Sequence, residues 1–159
     1  MDRVLGPEVA GLFYPADGST LSETVDSLLR EIPEPSPAGP PPKAVVAPHA
    51  GYVYSGPVAA SVYGRLRPFR DQYQRVVLLG PAHRHPFRGL AAADASAFDT
   101  PLGSVPVDPL ALAAALELPQ VHLLNEAFRG EHSLEVHLPF LQGVLGDFQL
   151  LPLVVGDAS

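Results

Sequence analysis

Six histidines, at positions 49, 83, 85, 122, 132 and 137, are the residues of this 159-residue chain best suited to chemistry. Neutral imidazole is the commonest metal-ligating side chain and a good general base near neutral pH. Two of the six are placed alike. His49 follows Ala44-Val45-Val46-Ala47-Pro48, and His83 follows Arg75-Val76-Val77-Leu78-Leu79 and then Gly80-Pro81-Ala82. Each apolar run reads as a short strand buried on both faces. In open α/β sheets, ligands bind outside the carboxyl ends of the strands. If the two strands are neighbours, His49 and His83 converge there as metal ligands. On pattern alone the alternative, two loop histidines without a ligand role, stays open. Pro48 and Pro81 stiffen the two loops, and Gly51 and Gly80 permit tight turns beside them.

His132 is the third candidate. It is expected to open a helix at the same edge of the sheet, where it would act as an acid/base group. A helix start there also suits an anionic substrate. Glu135 stands three residues on, so on a helix it would share the face of His132 and back it from behind. His137 stands five residues on, about 140° round a helix. A zinc-protease helix needs its histidines four apart, so His137 reads as a packing or hydrogen-bonding residue. His85 and His122 read as surface residues. Tyr52 and Tyr54 follow His49 closely and are expected to line a pocket.

Other chemistries are excluded or unsupported. The chain has no cysteine, so it holds neither a disulfide nor a thiolate metal site. Net charge is −7 and no Lys/Arg stripe is visible, which disfavours nucleic acid and anionic membrane surfaces. No GxGxxG, GxxxxGK[ST] or GxSxG occurs. No apolar run reaches the roughly 18 residues of a membrane span, and the N-terminus lacks the apolar stretch of a signal peptide. A soluble, cytoplasmic protein is the expectation.

The elements that must position these residues can be read in order. Hydrophobic residues make up 47% and charged residues 17%, enough apolar content for one folded domain over 1–159. Thr20 to Ile32 carries Leu21, Val25, Leu28, Leu29 and Ile32 as a helical stripe, with Thr20 and Glu23 as a capping box. Pro33 to Pro42 is a proline-rich extended connector. Ala44 to Ala47 is a strand, Ala59 to Leu66 a helix that starts near Pro57, and Arg75 to Leu79 a second strand. This is a βαβ unit of a parallel sheet. Gly89 to Val107 reads as a hairpin or a pair of short strands. Pro109 to Leu116 is a helix with proline at its first position, and Val121 to Leu124 another strand. Ser133 to Leu145 is a helix kinked at Pro139, and Leu150 to Val155 a last buried strand. The fold class is α/β, with a mostly parallel central sheet flanked by helices.

Several segments together resemble the signatures of one family. Pro48-His49-Ala50-Gly51-Tyr52-Val53-Tyr54-Ser55-Gly56 looks like the first signature of Memo-like proteins, called AmmeMemoRadiSam system protein B in prokaryotes. Leu79-Gly80-Pro81-Ala82-His83 resembles the Gly-Pro-Ser-His motif, with Ala82 in place of serine. Glu131-His132-Ser133-Leu134-Glu135-Val136-His137-Leu138-Pro139-Phe140 resembles the third signature. Val9 to Pro15 and Thr100-Pro101-Leu102-Gly103 match as well. The resemblance implies a fold like the LigB-like, class III extradiol dioxygenases, which hold Fe(II) on two histidines and a carboxylate. It carries His49 and His83 over as metal ligands and His132 as a pocket residue. It implies Fe(II) as the metal, with copper or zinc as substitutes, and an iron- or copper-dependent oxidoreductase of unestablished reaction. By family association it points to radical-SAM and AMMECR-like partners.

Family chains are longer, and their third ligand is thought to be a cysteine in a later Cys-Gly motif. The expectation is therefore a shortened domain without the family's C-terminal portion, whose third protein ligand is absent. A truncated sheet would expose an edge and favour a homo-oligomer. Two other functions compete: a non-catalytic module that binds a peptide or a small anion in the same cleft, and an inactive truncated homologue.

Overall fold

The computed structural model describes residues 3–33 and 39–157. Half of the expected proline-rich connector, residues 34–38, thus lies outside the described residues. In chain order the elements are β1 (Val4–Leu5), α1 (Gly18–Arg30), α2 (Tyr52–Tyr63), β2 (Arg75–Pro81), β3 (Leu90–Ala92), β4 (Ala97–Thr100), β5 (Gly103–Pro106), α3 (Pro109–Leu116), β6 (Val121–Leu123), α4 (Leu138–Val144) and β7 (Gln149–Val155). Short 3-10 turns join some of them, including Gly64–Gln72 after α2 and Glu135–His137 before α4.

Two sheets form the scaffold. The larger has the order β2-β7-β3-β6, with β2–β7 and β3–β6 parallel and β3–β7 antiparallel. The smaller has the order β1-β4-β5, and β4–β5 is the hairpin expected between Gly89 and Val107. The central sheet is thus mixed, its one antiparallel pairing made by the short β3. β7 is interior, and its sequence shows it. Leu150 and Val154 enter the main core on one face, while Leu151 and Leu153 join Ala92, Ala115 and Val121 under α3 on the other. A strand covered on both faces has to be apolar throughout.

α1 is amphipathic and α4 largely enclosed, whereas α2 and α3 leave apolar residues such as Val53 and Leu110 exposed. α1 buries Leu21, Val25 and Leu29. Its cap is Asp17, not the expected Thr20–Glu23 box: the Asp17 carboxylate accepts from the Thr20 N–H at 2.8 Å. That satisfies a first-turn donor from a cap three residues ahead of the expected one. α3 has the predicted bounds, with Pro109 in its first turn and Asp108 accepting from the N–H groups of Leu110 and Ala111.

Three expectations shift. The Ala44–Ala47 run is not a strand. It makes no ladder among the described residues, and Val46 is 93% exposed. A cavity of about 510 Å³, lined by Val45, Ala47, Val76 and Leu78 among others, stands between this run and β2. Its outer face is uncovered, so the two-sided burial that favours an all-apolar strand does not exist there. The helix after His49 starts at Tyr52, with Pro57 inside it, five residues before the Pro57 start that the sequence suggests. Pro57 fits there because position six lies just past the first turn, where the missing N–H costs a single bond. Finally, α4 begins at Leu138, so Pro139 falls in its first turn and no kink arises. His132 therefore lies in the loop ahead of that helix and does not open it.

Candidate metal centre

The loop after β2 carries His83, the loop before α2 carries His49, and the loop before α4 carries His132. One ligand nitrogen from each lies within 4.8 Å of the others. The rings of His83 and His132 stack at 4.6 Å with 14° between planes. His49 stands farther off, 5.2 Å from His83 and 5.9 Å from His132 between ring centroids. The two strand-end histidines do converge, although only one of the two strands forms.

Two local features bring the third histidine in. The first is Gly80. A Cβ at this position would lie 2.7 Å from Ser133 Oγ and 2.9 Å from Leu134 Cδ2. Only a bare Cα lets the 132–134 segment lie against the end of β2. The second is Glu131, which is buried at 5% exposure. Its Oε1 accepts from His83 Nδ1 at 2.8 Å, from the His132 N–H at 2.8 Å and from the Ser133 N–H at 2.9 Å. Its Oε2 accepts from the His83 N–H at 2.6 Å. Burial pushes the Glu131 carboxyl up, but these hydrogen bonds outweigh it and bring its pKa down to about 2. With Nδ1–H committed to Glu131, the lone pair of His83 is at Nε2, free for a ligand role.

The imidazoles suit a cation. Burial lowers the pKa of His49, and the neighbouring His83 lowers it further, against an opposing pull from Glu131. Burial also lowers His132, helped by His83. Both rings are therefore neutral at pH 7, with a lone pair to offer. His83 is 36% exposed at its side chain and His132 17%, so the cluster opens to solvent on the His83 side.

The remaining candidates separate. Glu135, expected behind His132, does other work. It accepts from the N–H groups of Glu8 and Val9 and from the Tyr14 hydroxyl, the last at 2.5 Å. Its segment is a 3-10 turn and not an α-helix, so the assumed shared face with His132 does not arise. Its effect on the site is indirect: it anchors the segment whose Phe13 ring packs on His132 at 4.6 Å. Tyr52 is buried, donates to the Val136 carbonyl at 2.8 Å and packs on Tyr14 and Phe140. Tyr54 is 85% exposed and lines no part of the cluster. His85 and His122 are exposed, as expected. His137 is buried, its Nδ1 paired with the Tyr63 hydroxyl at 2.9 Å, and desolvation brings its pKa down to about 4. Sequence reasoning missed the part played by Glu131. The signal was its place beside His132, in a chain where a buried acid needs several donors.

The expectation of a missing third ligand also changes, because His132 supplies a third imidazole from within this chain. Among the described residues no helix is long and apolar enough to cross a membrane.

A family model described as Memo-like protein matches residues 6–159. A MEMO1 family protein of Aquifex aeolicus (strain VF5) is 40% identical over 154 residues, covering 96% of this chain and 55% of that protein. One of Thermotoga petrophila is 38% identical over 164 residues, covering 96% of this chain and 58% of the relative. One of Aeropyrum pernix is 41% identical over 167 residues, covering 96% and 57%. The chain thus spans a little over half the length of the curated relatives it matches.

Proposed function

The chain belongs to the Memo-like family, and from that footing we propose that it is a metal-binding redox protein whose ion sits on His49, His83 and His132. The observation that carries this reading is the meeting of three imidazoles from three separate loops, two of them tied to one buried carboxylate.

The donor set fits a first-row transition metal. Imidazole suits iron, copper and zinc, and three protein ligands leave positions for water or substrate. Fe(II) is the first candidate, with copper or zinc as substitutes. When bound, the ion would supply Lewis acidity and, for iron or copper, one-electron chemistry. This chain's residues supply the rest. Glu131 holds His83 in the Nδ1–H tautomer and draws the His132 and Ser133 backbone toward it. Phe13 covers one face of His132. The open side at His83 admits a small substrate.

The set departs from two histidines and a carboxylate. Glu131, the carboxylate that touches the cluster, spends its oxygens on four N–H donors. We therefore place His132 among the ligands in preference to the acid/base role, and read the activity as redox chemistry on a dioxygenase-like site without fixing the reaction.

The contraction that loading could require is bounded. Metal–nitrogen bonds of about 2.05 Å in a tetrahedral site set the nitrogens about 3.3 Å apart. The cluster limit of 4.8 Å thus leaves up to about 1.5 Å of travel. Anaerobic titration with Fe(II) or Co(II) is the test, with one equivalent expected to bind. Equal binding by wild type and the His49→Ala, His83→Ala double variant would sink the reading. Ligand binding that survives exhaustive chelation would favour the non-catalytic module instead.

A further inference from the structure

We propose that His137, held by the Tyr63 hydroxyl, is the positioning residue that orients His49 toward the ion; this rests on the three-histidine reading of the site. The three ligands are held unequally. His83 is fixed by Glu131 through both its ring and its backbone N–H. His132 is fixed by its own N–H on Glu131, by stacking on His83 and by Phe13. The His49 ring takes no hydrogen bond among the described residues. It is also the outlying member of the cluster, so any contraction on loading falls mainly on this ring.

Outside the cluster, the ring packed on His49 among the described residues is that of His137. The two lie 6.3 Å apart between centroids at 69°, an edge-on contact. His137 is itself immobilised. It is 5% exposed, and its Nδ1 is 2.9 Å from the Tyr63 oxygen. Tyr63 is 3% exposed and stacks on Phe140 at 5.4 Å and 9°. Tyr63 is also the last residue of α2, the helix that starts three residues after His49. A circuit of contacts therefore runs from His49 along α2 to Tyr63, across to His137 and back to His49.

His137 is not a member of the cluster whose nitrogens lie within 4.8 Å of one another. Its contribution is a wall behind His49, which limits the rotamers of an otherwise unrestrained ring. Hydrogen-bonded supports behind metal ligands are worth about 10–100-fold in affinity, and a support that acts by packing alone belongs at the lower end, about tenfold.

The test is Co(II) titration of the full chain carrying Tyr63→Phe or His137→Phe, alone and with His49→Ala. Tyr63→Phe removes one buried oxygen and keeps the ring, so it serves if His137→Phe fails to fold. Each single variant is expected to bind Co(II) about tenfold more weakly, the lower end of the range for outer supports, and to shift its visible absorption bands. In the His49→Ala background neither change should weaken binding further. A merely structural role would lower the thermal midpoint but leave the Co(II) spectrum and the dependence on His49 unmoved. Unchanged affinity and spectrum in Tyr63→Phe would overturn the proposal, as would an equal loss with His49 already removed. If wild type binds no Co(II), both this proposal and the metal reading fall. If wild type binds, His49→Ala weakens binding and Tyr63→Phe does not, this proposal alone falls.

Discussion

Replacing Glu131 with glutamine tests the central claim that one buried carboxylate organises two of the three ligands. The carboxylate accepts four N–H donors, three on Oε1 and one on Oε2. An amide has one oxygen and an NH2 group. If the oxygen takes the place of Oε1, the NH2 faces the His83 N–H, donor against donor. One donor is left unpaired and three charge-assisted bonds become neutral. Hydrogen bonds to a charged group contribute about 1.5–3 kcal/mol each, and a buried unpaired donor costs about 1–3 kcal/mol. Partial relaxation brings the expected loss to about 3 kcal/mol. The same hydrogen bonds also set a pH dependence. The Glu131 pKa falls from the ordinary 4.5 to about 2 on folding, and at 1.36 kcal/mol per pH unit this is about 3 kcal/mol. Because the folded value is the lower one, that stability is complete above pH 4.5 and is lost as pH falls from 4.5 toward 2. The assay is urea unfolding of wild type and Glu131→Gln at pH 7 and again at pH 3. At pH 7 the variant should be about 3 kcal/mol less stable, about 6–12 °C in thermal midpoint for a domain of this size, and the gap should narrow at pH 3. Co(II) affinity should fall about 10–100-fold. A difference under about 0.5 kcal/mol at pH 7, or a gap that stays constant down to pH 3, would refute the reasoning.

Four further outcomes are expected. Gly80→Ala would push the 132–134 segment off the end of β2, because the new methyl meets Ser133 at 2.7–2.9 Å; a loss of about 1–3 kcal/mol and weaker Co(II) binding should appear together in unfolding and titration. His137 folds with its pKa lowered from 6.5 to about 4, so it withdraws stability as pH falls through that window; a histidine-to-glutamine change at 137 should flatten the stability profile between pH 6.5 and 4 and leave the Glu131 window below it. Tyr14→Phe removes the 2.5 Å bond to Glu135 and should cost about 1–2 kcal/mol, with faster hydrogen exchange in residues 8–14 as its local signature. Saturating Zn(II) or Co(II) should raise the thermal midpoint, reversibly with EDTA, by the linkage RT ln(1 + [L]/Kd); no rise with any first-row divalent ion would count against the site.

The parts of the fold legible in the sequence were those whose signals are local. Asp108 before Pro109 caps α3 in the predicted place, and the apolar run at 150–155 is an interior strand. The convergence of His49 and His83 was legible because two apolar runs ended alike. Illegible were features set by what covers a segment from elsewhere. Ala44–Ala47 has the composition of a buried strand, yet with its outer face bare it forms no ladder. His132 was assigned to a helix start because Ser133 to Leu145 reads as one continuous helix. Pro139 moves the true start to Leu138, and a proline in the first turn leaves no trace in the spacing of leucines. The error had a chemical consequence, since a loop His132 can lean onto His83 where a helical one would have stood apart.

The segment Glu131 to His137 shows why spacing arguments alone misjudge such a site. Read as a helix, its polar residues sort by face, and Glu135 becomes the partner of His132. In the folded chain the segment is a loop and a short 3-10 turn, and each polar side chain leaves in a different direction. Glu131 turns back to hold His83 and its own two successors. Glu135 reaches the other way to the N-terminal segment and presses Phe13 against His132. His137 goes to Tyr63 and stands behind His49. One proposed ligand and three proposed supports for ligands thus lie in seven consecutive residues. A substitution that made this stretch helical would scatter all of them at once. Replacing Gly130, whose φ is +64°, by a helix-favouring alanine is therefore expected to weaken Co(II) binding far more than its cost of about 1 kcal/mol in backbone strain. Equal Co(II) affinity in Gly130→Ala and wild type would show that the loop's hydrogen bonds, and not its entry geometry, set the site.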